Sequence, residues 1–147
     1  MGEVRMVDVS GKPDVVREAV ARGNIRLKPT TVVRVAERRI EKGDVLACAK
    51  LAAISAVKKA PDLLFLAHPI PITGVNVSIE IGEGSITAEV RVRSVGKTGV
   101  EMEALTGVAV CLLTIFDMCK AYEKEDGQYP KTVISDIRVV KKTKTPV

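Results

Sequence analysis

From Ile72 the chain alternates apolar and polar residues with a period of two. GVNVSIEI and SITAEVRVRSV, separated by Gly82, Glu83 and Gly84, predict a β-hairpin. The period then changes. VEMEALTGVAVCLLTIFDMCKAYEKE repeats apolar residues at helical spacing and predicts a helix of about six turns. Thr98 stands before it as the expected cap, with Glu101 three residues on as its capping-box partner. TVISDIRVVKK alternates again and predicts a last strand, and the basic tail KKTKTPV is expected to be disordered.

Upstream, PDVVREAVARG has Pro13 at a first helical position, apolar residues at Val15, Val16, Ala19 and Val20, and a stop at Gly23, so it reads as a short helix. Asn24 to Lys28 reads as a short strand. TTVVRVAERRIEKGD and DVLACAKLAAISAVKKA read as two successive helices broken at Gly43, the second capped by Asp44 and carrying Lys58 and Lys59 near its end. The order of elements matches an α+β fold, a ferredoxin-like βαββαβ plait with an extra N-terminal helix.

Length and composition narrow the class. With 147 residues, 46% of them hydrophobic, the chain supports one core, and a single domain over residues 1–147 is expected. No apolar run approaches the roughly 18 residues of a membrane span, and the opening MGEVRMVDVSGKP lacks the apolar centre of a signal peptide, so a cytoplasmic address is expected. Cys48, Cys111 and Cys119 are an odd number in apolar, helix-like segments. They are expected to be small core residues rather than disulfide partners or zinc ligands. A net charge of +5 favours an anionic partner. Two Tyr, two Phe and no Trp leave almost no platform for stacking bases, which argues against single-stranded nucleic acid.

Three places could carry chemistry. His68, the one histidine, lies in LLFLAHPIP, where Pro69 biases it to extended backbone; alone, it reads more simply as a hydrogen-bonded structural residue. GKTG at 96–99 precedes the long helix and offers either an anion site or a plain turn. It is not a Walker loop, because Arg91 holds the position of the leading glycine. Asp117 and Lys120 are three residues apart on one helix face, with Thr114 a turn earlier. They form either a surface ion pair or a reactive pair in a partly buried cleft. Glu103 and Asp117, 14 residues apart, share a face but lie roughly 21 Å apart along the axis. One small ligand cannot reach both within a single chain, so either they serve separate sites or a symmetric copy supplies the second.

KGDV at 42–45, LAHP at 66–69, GKTGVEMEALT at 96–106 and TIFDMCKA at 114–121, with the opening MVDVSGKPDVVREA, together resemble the cyclic pyranopterin monophosphate synthase family. The resemblance runs in order from about residue 6 to 140. It implies a ferredoxin-like subunit in a homohexamer, a trimer of dimers with active sites at subunit interfaces. It also implies a lyase that converts 3',8-cyclised dihydro-GTP to cyclic pyranopterin monophosphate and pyrophosphate in molybdenum cofactor biosynthesis. By matching position, Asp117, Lys120 and Lys42 would be catalytic. Leu66, Ala67, His68, Met102 and Glu103 would line the substrate site, Glu101 would hold the guanine-derived ring or assist proton transfer, and Arg17, Lys58 and Asp8 would bind or orient phosphate. No redox cofactor or protein-held metal is implied, and magnesium enters only as a companion of the triphosphate.

The chain departs from relatives in two places. Ala67 stands where many have cysteine, and the tail lacks their glycine-lysine-rich stretch. A competing reading, a basic plait module that binds RNA or a protein without catalysis, explains the charge but not the carboxylates of the long helix. An inactive relative that keeps the fold would not need the matched polar residues, all of which are present.

Overall fold

A computed structural model describes residues 2–147. Among them the order is β1 (Val15–Arg26), α1 (Pro29–Ala36), α2 (Val45–Leu63), β2 (Ile72–Ile81), β3 (Ser85–Gly96), α3 (Glu101–Glu123) and β4 (Val133–Pro146). The strands form an antiparallel sheet in the order β2-β3-β1-β4. This is the ferredoxin-like plait, with α2 and α3 packed on one sheet face.

The hairpin explains itself. Ile86, Ala88, Val90 and Val92 of β3 are fully buried at every second position, and the turn closes with the Gly82 N–H donating to the Ser85 carbonyl at 2.9 Å. Helix α2 starts where Asp44 accepts a hydrogen bond from the Ala47 N–H at 3.1 Å. It buries a ridge of Ala49, Ala53, Ala56, Val57 and Ala60 and runs through Pro61 to Leu63. Helix α3 answers with Ala104, Gly107, Val108, Cys111, Leu112 and Ile115. The helices meet closely at Gly107, where a Cβ would stand 2.9 Å from Val57 Cγ2 and 3.2 Å from Val90 Cγ1. By length and composition α3 could cross a membrane, yet half of that apolar window is buried inside the fold.

Four expectations are corrected. The N-terminal helix does not form: Val15–Arg26 is one strand, central in the sheet, and it absorbs the short strand expected from Asn24. Its true period is the alternation of Ala19, Ala21, Gly23 and Ile25, all buried beneath the helices. Ala19, Ala21 and Gly23 are small because α3 lies over them; a Cβ on Gly23 would meet Val108 Cγ1 at 2.7 Å. The tail is not disordered either, since β4 pairs with β1 as far as Val15↔Pro146. Backbone pairing at a sheet edge needs no apolar side chains, which is why KKTKTP gave no signal. Helix α3 is capped by Val100 rather than Thr98, without a side-chain hydrogen bond. Cys111 and Cys119 are core residues, but Cys48 lies exposed on α2.

Candidate functional site

The three residues expected to be catalytic come together. Asp117 lies on the outward face of α3, one helical turn before Lys120, and its carboxylate is 3.3 Å from Lys120 Nζ. Lys42 arrives from the turn between α1 and α2. Its Nζ is 3.4 Å from Asp117 Oδ2 and donates to the Asp117 carbonyl at 3.0 Å. A carboxylate is thus held between two ammonium groups. The ion pair with Lys120, then that with Lys42, keeps the Asp117 carboxyl below the usual carboxylate range.

Of the two readings of this pair, the single chain shows the surface ion pair and not the partly buried cleft. Asp117 exposes 61% of its side chain, because the apolar neighbours Ile115, Met118 and Cys119 turn inward while Asp117 turns out.

The depressed carboxylate carries a sign that can be tested. Asp117 stays ionised to lower pH than an unpaired aspartate, and whatever the pairs add to stability is present above the ordinary aspartate range and lost as pH falls through the folded value. Exposure keeps that contribution small. Lys120→Met is expected to raise the Asp117 titration toward the ordinary range, read from its carboxyl carbon shift; an unmoved titration would show that the pair is not formed in solution.

A second group surrounds the start of α3. Glu101 Oε1 is 3.0 Å from Lys142 Nζ of β4. Arg17 of β1 donates from Nε to the Gly96 carbonyl at 3.2 Å and from Nη2 to the Lys97 carbonyl at 3.3 Å. With Lys12, Lys142 and Lys144 it lines a cleft of about 470 Å³. Glu103 is buried at 2% exposure, and that burial, with a smaller push from Glu101, raises its carboxyl above the usual range. His68 Nε2 lies 2.7 Å from the Val7 carbonyl, so that nitrogen donates. Asp8 accepts from the Ser10 N–H at 2.8 Å, which lowers its carboxyl. Leu66, Ala67 and Met102 line an apolar groove of about 410 Å³ with Leu63, Leu64 and Phe65. Lys58 stands exposed on α2, inside the helix rather than in its last turn.

Sequence reasoning missed Lys12, Lys142 and Lys144. The signal for the last two was their spacing of two, which puts both on one side of a strand once the tail is read as a strand. Register places Arg17 opposite Lys144 and Ala19 opposite Lys142. Among the described residues no group of three or more His, Cys, Asp or Glu is placed to hold a metal ion.

Because α3 is one unbroken helix from Glu101 to Glu123, the two groups are separated by roughly 21 Å along its axis. One gathers a carboxylate between two ammonium groups, the other a cleft lined by lysine and arginine.

The chain is similar to a protein of Pyrococcus abyssi named probable cyclic pyranopterin monophosphate synthase, 57% identical over 97% of this chain and 90% of that one. A Methanothermobacter thermautotrophicus protein, also 57% identical over 96% of this chain and 89% of its own, is named probable cyclic pyranopterin monophosphate synthase accessory protein. An Archaeoglobus fulgidus protein named as a probable synthase is 54% identical over 97% of this chain and 92% of its own. A sequence model of the MoaC family matches residues 6–145, and with relatives this similar along nearly their whole length, the chain belongs to the MoaC family.

Proposed function

We propose that this protein is a cyclic pyranopterin monophosphate synthase, a lyase that converts 3',8-cyclised dihydro-GTP to cyclic pyranopterin monophosphate and releases pyrophosphate in molybdenum cofactor biosynthesis. The observation that carries this reading is Asp117 held between Lys42 and Lys120. Opening the imidazole ring, rebuilding it as a pterin and closing the cyclic phosphate require repeated proton transfers. An ionised aspartate can accept a proton from the substrate, and the two ammonium groups beside it can donate one to another substrate atom and take back the aspartate's. Burial raises the carboxyl of Glu103, which makes it a readier proton acceptor than an exposed glutamate. The cleft lined by Lys12, Arg17, Lys142 and Lys144 suits the triphosphate and the charge that develops as pyrophosphate leaves. Magnesium, where used, travels with that triphosphate, and no step depends on a metal held by the protein.

The working form is a homohexamer, a trimer of dimers, acting in the cytoplasm. Two half-sites at opposite ends of α3 support an arrangement in which the Asp117 end of one copy meets the Glu101 end of another. The RNA-binding alternative is weakened by the open sheet face. There Glu18 pairs with Arg91 at 2.9 Å and Arg93 at 3.4 Å, and Glu89 pairs with Arg22 at 3.1 Å, so part of that face's positive charge is already compensated.

Mass-spectrometric detection of cyclic pyranopterin monophosphate after purified protein meets the cyclised nucleotide tests the proposal. Product is expected; its absence from well-folded, assembled protein would overturn the assignment.

A further inference from the structure

Lys42 reaches Asp117 from a loop, and a flexible lysine on a loop does not hold an address by itself. The turn that carries it runs from Ile40 to Gly43, closed by the Gly43 N–H donating to the Ile40 carbonyl at 3.0 Å, with Gly43 at φ +119°. Ile40 anchors one side of this turn in the core, at 6% exposure. On the other side the Glu41 N–H donates to the hydroxyl of Tyr122 at 2.9 Å. Tyr122 belongs to α3, two residues beyond Lys120, so the helix that carries Asp117 and Lys120 also grips the backbone immediately before Lys42.

The tyrosine is itself held. The guanidinium of Arg34, on α1, lies over its ring at 4.8 Å from the centroid, and Arg34 also donates to the Arg39 carbonyl at 3.3 Å. Arg34, Tyr122 and the loop from 37 to 43 therefore form one brace. We propose that Tyr122 is a positioning residue that fixes Lys42 against Asp117 through the Glu41 backbone. This rests on the reading of Lys42 and Asp117 as catalytic.

Tyr122→Phe removes the hydroxyl and keeps the ring for Arg34 and the core. The proposal expects kcat to fall about three- to tenfold, the worth of one hydrogen bond, with KM little changed. Melting temperature should fall by only about 2 to 4 °C, and assembly size should stay at the wild-type value. In a Lys42→Met background, with product accumulated over long incubations, Tyr122→Phe is expected to cost nothing further, because there is no lysine left to place. Wild-type kcat in Tyr122→Phe, where Lys42→Met is impaired, overturns the positioning role alone. An equal loss in both backgrounds also overturns it, by showing a general structural effect. Full activity in Lys42→Met overturns the catalytic reading and the proposal with it.

Discussion

Asp117→Ala is expected to lower kcat/KM for the cyclised nucleotide by about a thousandfold, the usual worth of a positioned acid or base. The fold should be unmoved. Asp117 and both its partners are largely exposed, and exposed pairs contribute under about 1 kcal/mol to stability, so a lost activity cannot be blamed on unfolding. Asp117→Asn keeps the shape and removes the charge that Lys42 and Lys120 surround, and should fall nearly as far. Mixing denatured and refolded Asp117→Ala and Arg17→Ala chains then tests whether the two half-sites are shared between copies. If they are, mixed pairs contain one site with neither lesion, and about a quarter of wild-type activity should return. No recovery would mean that each chain works alone. Retention of full activity in Asp117→Ala would remove the central residue from the mechanism.

The second large effect is on stability. Glu123 ends α3 fully buried, with its carboxylate accepting the Lys28 N–H at 3.0 and 3.2 Å and the Thr132 hydroxyl at 2.7 Å. Lys28 is the residue before α1, a helix with no side-chain cap of its own, so Glu123 also places negative charge at its positive end. Glu123→Ala leaves two buried donors without an acceptor and opens a cavity. Together these should cost about 3 kcal/mol. For a chain of this size that corresponds to a melting temperature lower by about 6 to 12 °C. Glu123→Gln keeps one carbonyl acceptor and should lie between the two. A melting temperature unchanged in Glu123→Ala would mean that water or a neighbouring group replaces the carboxylate.

How much of this was legible beforehand depended on which force shaped each segment. The hairpin and α3 were readable because one face of each is buried and the period of burial is written in the residue types. Val15–Arg26 was misread because close packing under α3 selected Ala19, Ala21 and Gly23, small residues that weaken the period-two signal, while Pro13 and the Val and Ala positions mimicked a helical face. The tail was misread because backbone pairing carries no side-chain pattern. In the site, the spacing of Asp117 and Lys120 announced their contact. Lys42 entered only through the family resemblance, since nothing local says that a residue 75 positions away folds back onto Asp117. Lys142 stayed hidden as long as the tail was taken for disorder. Nothing local to Tyr122 marks it as the partner of the Glu41 backbone.

The register that pairs Val15 with Pro146 has a consequence for synthesis. β1 is made first but sits in the middle of the sheet, and its two partners emerge late, β4 last of all. At ordinary translation speeds the strand waits on the order of ten seconds for its outer neighbour. During that time one edge of the sheet's central strand has no hydrogen-bond partner. A nascent chain of this topology is therefore open to pairing with other chains on the same message until β4 has been made.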